Sequence, residues 1–227
     1  MKKPQWIVTD IEGTTTSISF VHEVLFPYAR QRMGEFLLNK SHEPDVSELV
    51  AKLKTRMNLF SLEEVVTLLD GWMADDRKET ELKALQGILW RNGYEEGDFT
   101  GHVYPDVAPA LVRWRKADIK LAVYSSGSIA AQKLLFARSD VGDLDQYFSA
   151  NFDTTVGHKR ESASYQAIVD ELCTVAADIL FLSDVGAELE AAQMVGMKVI
   201  QLMRDGNKRD ERFELVETFE DLDRLWS

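Results

Sequence analysis

Asp10 and Glu12 stand one residue apart at the end of an apolar run, Trp6-Ile7-Val8-Thr9, and are followed by a glycine and three hydroxyl side chains, Gly13-Thr14-Thr15-Thr16. In an extended segment Ile11 faces away from its neighbours, so the two carboxylates share a face. Two anions at one strand tip repel unless a cation lies between them, which points to a bound metal. Three further polar groups recur along the chain. Ser125-Ser126-Gly127-Ser128 follows Leu121-Ala122-Val123-Tyr124, Gly157-His158-Lys159 precedes a helical pattern, and Ser183-Asp184 follows Ile179-Leu180-Phe181-Leu182. These residue types suit phosphoryl transfer. A carboxylate is a nucleophile toward phosphorus, and a divalent ion such as magnesium reconciles it with an anionic substrate through oxygen ligands, Asp184 among them. Serine hydroxyls and backbone N–H groups hold phosphate oxygens, and the Lys159 ammonium neutralises developing charge.

These groups must be brought together by the elements that carry them. From Thr16 to about Gly101 the pattern is helical throughout. Phe20, Val24, Leu25, Tyr28 and Met33 recur at helical spacing. Ser61-Leu62-Glu63-Glu64 reads as a capping box ahead of Val65, Val66, Leu68 and Leu69. A helix over about 79–90 is expected to stop at Asn92-Gly93. Beyond Tyr104 helical patterns over 106–116, 129–137, 164–172 and 187–195 alternate with strand patterns over 119–124, 148–150, 179–182 and 198–202. Such alternation with short links predicts an α/β fold, a doubly wound parallel sheet covered on both faces. The first strand joins that sheet. The expected organisation is therefore a catalytic core of residues 1–16 and 103–227, interrupted by an all-helical cap over 17–102. In a doubly wound sheet the strand tips converge at one edge.

Composition narrows the alternatives. The chain has 227 residues, 45% hydrophobic, enough for a full core. Its 26 basic and 38 acidic residues leave a net charge of -12, which argues against nucleic acid or an anionic membrane as partner. The single cysteine, Cys173, excludes an internal disulfide and is expected to pack as a small apolar residue. The N-terminus lacks a signal-peptide pattern and no segment is long enough to span a bilayer, so a cytoplasmic enzyme is expected. The histidines His22, His42, His102 and His158 show no metal spacing, and His158 is expected to pack rather than to line a site. Each polar group also has an ordinary reading: an Asp after a strand caps helices, Ser-Ser-Gly-Ser is a loop, and a lysine is solvated. Their joint order along one sheet is what carries the chemical reading.

The set Asp, Ser, Lys, Asp, each near a strand end, resembles the haloacid dehalogenase superfamily. Asp10-Ile-Glu-Gly-Thr-Thr-Thr16, Tyr124-Ser-Ser-Gly-Ser128 with Ala131-Gln132-Lys133-Leu134-Leu135-Phe136, Gly157-His-Lys159 with Glu161-Ser162 and Ser164-Tyr165, and Asp76-Arg77-Lys78 with Leu82-Lys83 and Leu85-Gln86-Gly87 resemble its enolase-phosphatase family of methionine salvage. Glu12 is the distinctive position, because most of the superfamily carries a second Asp there. The resemblance implies that 2,3-diketo-5-methylthiopentyl 1-phosphate is enolised and then dephosphorylated to the acireductone 1,2-dihydroxy-3-keto-5-methylthiopentene. It implies one magnesium ion held by the Asp10 and Asp184 side chains and the Glu12 main-chain carbonyl. Ser125, Ser126 and Lys159 would bind phosphate. Asp10, Glu12 and Lys159 would be the catalytic residues, the cap would close over substrate, and the enzyme would act as a monomer on a small phosphorylated molecule.

The enolisation base is left open among Glu12, Lys78 and Lys83. Two rivals remain: another magnesium-dependent phosphatase of the superfamily acting on a different small ester, and a phospho-accepting receiver module. The second fits poorly, since receivers place the accepting Asp on a later strand, where this chain has Ser125 and Ser126.

Overall fold

The computed structural model describes residues 2–204 and 206–226. In chain order they form β1 (Trp6–Thr9), a π-helical turn (Phe20–Leu25), α1 (Phe26–Lys40), α2 (Pro44–Met57), α3 (Leu62–Ala74), α4 (Thr80–Glu96), α5 (Val107–Lys116), β2 (Lys120–Tyr124), α6 (Ile129–Ala137), β3 (Ala150–Phe152), α7 (Ser162–Glu171), β4 (Ile179–Ser183), α8 (Gly186–Met194), β5 (Lys198–Leu202), β6 (Leu215–Val216) and α9 (Phe219–Asp223). Two compact units result, one of Met1–Ile18 with Thr100–Ser227 and one of Ser19–Phe99. No helix among the described residues is long and apolar enough to cross a membrane.

The first unit is built on a six-stranded sheet in the order β3-β2-β1-β4-β5-β6, with every pairing parallel. The short apolar runs are strands because parallel strands are buried on both faces and tolerate continuous hydrophobic sequence. Trp6, Val8, Ala122, Tyr124, Ile179 and Phe181 share one face, where Tyr165 and Ile168 of α7 and Leu189 and Ala192 of α8 join them in a buried cluster. The alternating residues Ile7, Leu121, Val123, Leu180 and Leu182 are equally buried and face the other way, the side on which Trp114 of α5 meets Phe219 of α9 at 5.0 Å between ring centroids. The chain moves one way from β1 to β2 and β3, and the other way from β4 to β6. That reversal around β1 makes a crevice at the C-terminal edge.

The sheet matches the expected α/β architecture, with two short elements added. β6 spans only two residues and α9 five, too few for a periodic signal. The short strand expected over 148–150 lies at Ala150–Phe152, in register with Ala122–Tyr124 of β2.

In the second unit the four helices bury Met33, Leu37, Leu53, Val65, Leu69, Trp72, Leu82, Leu85 and Leu89 together. The capping box at α3 is present: Ser61 accepts the Glu64 N–H, and the Glu64 carboxylate accepts the Ser61 N–H at 2.9 Å. The stop expected at Asn92-Gly93 does not occur. α4 continues to Glu96 and ends at Gly97, which adopts the left-handed φ of 77° that a C-terminal glycine supplies. Gly93 is a packing residue instead, because a Cβ there would lie 2.8 Å from the Tyr28 ring.

Two glycines of α4 therefore respond oppositely to alanine. Gly87 has open space around its Cα, so Gly87→Ala gains about 0.5–1 kcal/mol from helix propensity. Gly93→Ala drives a methyl into two aromatic rings and loses about 1–3 kcal/mol. Urea denaturation of the full chain checks both; stabilisation by Gly93→Ala contradicts the packing described.

Candidate active site

Register sets the depth of the site. Thr9 pairs with Val123 of β2 and with Leu182 of β4, so Asp10 emerges level with Tyr124 and Ser183, one residue short of Ser125 and Asp184. The Asp10 N–H still donates to the Leu182 carbonyl at 2.9 Å. The chain then turns tightly. The Ile11 carbonyl accepts the N–H groups of Thr14, Thr15 and Thr16, and Gly13 N–H donates to the Thr16 carbonyl. Gly13 has a φ of +71°, and a Cβ on it would lie 2.6 Å from Asp184 Oδ2. The glycine is thus required twice, by the turn and by the carboxylate seated against it. Thr14, Thr15 and Thr16 are wholly buried and shape the turn.

Lys159 reaches Asp10 from a loop held by three hydroxyls. Tyr124 donates to the Gly157 carbonyl at 3.0 Å, Ser164 to the His158 carbonyl at 2.8 Å, and Tyr165 to the Lys159 carbonyl at 2.8 Å. Gly157, at φ +130°, has Ser164 Oγ where a Cβ would stand. The Lys159 ammonium lies 2.6 Å from Asp10 Oδ1 and 2.7 Å from Glu188 Oε2, with its side chain only 10% exposed. Burial alone would lower its pKa, but the two carboxylates outweigh that and raise it well above the usual lysine range. It is a permanent cation. The Ile11 N–H also bonds Asp10 Oδ1, at 2.7 Å, so both contacts fall on one oxygen of Asp10.

The serine-rich loop Ser125-Ser126-Gly127-Ser128 follows β2. Ser125 is buried, its Oγ accepting the Gly127 N–H at 3.2 Å. Ser126 is exposed and reaches the cleft. Ser128 caps α6 by accepting the Ala131 N–H, and the Ile129 N–H donates to Asp153 at 3.3 Å. An open cleft of about 510 Å³ is walled by Asp10, Glu12, Ser126, Thr154, His158, Lys159, Arg160, Glu161 and Glu188, a volume suited to a small ligand. Ser125 and Asp184 lie outside that wall.

A model of the haloacid dehalogenase-like hydrolases matches residues 4–196. The chain is 49% identical over 221 residues to Enolase-phosphatase E1 of Yersinia enterocolitica, covering 96% of each. It is 50% identical over 218 residues to Enolase-phosphatase E1 of Klebsiella pneumoniae, covering 95% of each. The chain belongs to the haloacid dehalogenase-like hydrolases, in the enolase-phosphatase family. Among solved structures, the UTR4 protein of Saccharomyces cerevisiae matches with a TM-score of 0.84 at 32% identity, over 96% of this chain and 99% of that one. The L-2-haloacid dehalogenase of Xanthobacter autotrophicus matches at 0.59 and 20% identity, over 98% of both chains, which shows the shared fold alone.

Whether this hydrolase's residues suit a divalent cation is tested by Asp184. Its Oδ1 is buried with no hydrogen-bond partner among the described residues, a costly state for a carboxylate oxygen unless a ligand satisfies it. Burial, and then the charge on Asp10, push its carboxyl up to about 7. Among the described residues no three His, Cys, Asp or Glu side chains gather as a ready metal cluster. Two carboxylates and a main-chain carbonyl need no such trio, and their oxygens suit a hard cation.

Glu188 is the site residue that sequence reasoning missed. Besides Lys159 it accepts the Ser183 hydroxyl at 2.9 Å, and burial together with Asp10 holds its carboxyl up to about 7 against the lowering effect of Lys159. An acidic residue in the first turn of a helix is so ordinary that only its burial could have marked it. His158, expected to pack, is exposed and on the cleft wall. Cys173, expected in the core, is exposed, because it sits at the left-handed residue (φ 48°) just past α7. Lys78 and Lys83 belong to the helical unit, and Lys78 pairs there with Asp76 at 2.6 Å.

The raised carboxyl of Asp184 has a stability consequence. Its ordinary value is 3.8 and its folded value about 7, so between them the folded protein binds more protons than the unfolded chain. Stability of the metal-free protein therefore falls as pH rises through that window. In chelator, Asp184→Asn should gain about 1–3 kcal/mol over wild type at pH 7.5 and little at pH 4, read by urea denaturation. Equal effects at both pH values would contradict a suppressed charge at Asp184.

Proposed function

We propose that this chain is an enolase-phosphatase that converts 2,3-diketo-5-methylthiopentyl 1-phosphate to the acireductone 1,2-dihydroxy-3-keto-5-methylthiopentene and phosphate. The observation that carries the reading is the Lys159 ammonium held on Asp10 at the floor of a cleft, in a chain about half identical to enolase-phosphatases along nearly its full length. In our reading the cofactor is one magnesium ion, held by the Asp10 and Asp184 carboxylates and the Glu12 carbonyl. Bound there, it would offset carboxylate charge and polarise a phosphoryl oxygen.

The chain's own residues do the rest. Asp10, fixed by Lys159 and the Ile11 N–H through Oδ1, presents a carboxylate to phosphorus in a defined orientation. Lys159 stays charged throughout and stabilises the extra negative charge that develops on the phosphoryl oxygens. Ser126, with the backbone of the loop that Ser125 braces, holds those oxygens. Glu12 lines the same cleft, and we assign to it the proton transfers of enolisation and leaving-group departure. Its extra methylene, relative to Asp, extends that reach. We place the work in the cytoplasm, on a small phosphorylated molecule, by a monomer whose Ser19–Phe99 unit serves as the cap.

The deciding assay follows enediol absorbance and phosphate release from the diketone phosphate together. Both should appear in wild type. Phosphate release from simple esters without any enediol would instead favour a broader phosphatase of the superfamily. Asp10→Ala should abolish release. Lys159→Ala should lower kcat by about 10²–10³ in protein shown to be folded by circular dichroism; near-normal turnover would remove the assigned role. Glu12→Gln should keep magnesium affinity near wild type, since its carbonyl is the ligand, while slowing enediol formation.

A further inference from the structure

Side chains from the end of β5 and from the residues after it grip both acidic loops by their main chains. Gln201 sits opposite Ser183 in the β4–β5 register and is 1% exposed. Its Nε2 donates to the Asp184 carbonyl and to the Lys208 carbonyl, each at 2.8 Å, and its Oε1 accepts the Asp210 N–H at 2.9 Å. Both its N–H groups and its oxygen are therefore used. From the same segment Asn207 Nδ2 donates to the Gly13 carbonyl at 3.1 Å, and Arg204 Nε donates to the Thr14 carbonyl at 3.1 Å. Arg204 is itself anchored, bonding both Asp106 oxygens at 3.0 and 2.8 Å with its guanidinium 4.3 Å from the Tyr104 ring centroid.

Gln201, Arg204 and Asn207 thus tie the turn after β1 to the loop after β4. Those two pieces carry the carboxylates expected to share a cation, and they come from different strands. A buried amide in an otherwise apolar strand is costly unless every polar atom is satisfied. A Leu or Met at 201 would fill the strand as well but would leave the Asp184 loop and the 207–210 segment unconnected. Groups that orient ligands without touching the metal change its affinity by about 10–100-fold.

We propose that Gln201 and Asn207 are positioning residues that fix the spacing of the Gly13 turn and the Asp184 loop, and so set the divalent-cation affinity of the site. The inference rests on the proposed metal-dependent reading, but its readout is binding rather than turnover. Magnesium is titrated by calorimetry into full-length, substrate-free Gln201→Met and Asn207→Ala proteins, with Arg113→Met as a control that loses an ion pair to Asp223. Both variants should bind magnesium about tenfold more weakly than wild type, with KM near wild type and kcat largely recovered at saturating magnesium. Arg113→Met should lower the melting temperature and leave magnesium affinity unchanged.

Unchanged affinity in Asn207→Ala overturns the proposal, and that variant decides alone if Gln201→Met fails to fold. Equal weakening in Arg113→Met also overturns it, since general loosening would then suffice, as does a wild type that binds no magnesium. If wild type binds magnesium but forms no enediol, the assigned reaction fails, while the difference between variants still tests the positioning.

Discussion

An ammonium buried between two carboxylates is the interaction around which the site is arranged. Lys159 touches Asp10 and Glu188 at once, and removing the ammonium would leave two buried carboxylates facing each other unpaired. On the cleft wall Asp10, Glu12, Glu161 and Glu188 face Lys159 and Arg160. Burial first, and then the neighbouring charge of Asp10, push the carboxyls of Asp184 and Glu188 up to about 7. The proposed magnesium ion would add positive charge beside these acids, next to the buried, unpartnered Oδ1 of Asp184.

The rest of the core serves to keep those charges at fixed separations. Parallel register delivers Asp10 and Asp184 to one edge, but register alone sets their height within a residue, not their spacing. Spacing is refined by contacts that admit no side chain: Gly13 against the Asp184 carboxylate and Gly157 against Ser164. Three hydroxyls tie the Lys159 loop to its surroundings by backbone carbonyls. Because these ties use main-chain carbonyls, they constrain where the Lys159 side chain starts and leave its ammonium to the carboxylates.

Much of this was legible from residue order. Apolar runs of four or five residues, each ending in an acid or a serine, announced parallel strands whose tips meet, and periodicity marked the helical stretch between Thr16 and Gly101. The misreadings share one cause. Gly93 looked like a helix stop, yet it is the space for two aromatic rings brought to it by α1 and by Phe99. Cys173 looked apolar, yet its position past a helix end turns it outward. Glu188 and Gln201 drew no reading at all, because an acid early in a helix and a polar residue in a strand carry no local mark of the partners they meet.

Local sequence by itself determined which segments become strands and helices, and which residue types stand at the strand tips, because periodicity and turn chemistry are properties of neighbours along the chain. Only the tertiary structure decided which acid pairs with Lys159, which glycine yields room to which carboxylate, and which amide holds the Asp184 loop. Those are contacts between segments distant in sequence, such as Gly13 and Asn207, and no local signal distinguishes a buried, partnered polar group from a solvated one.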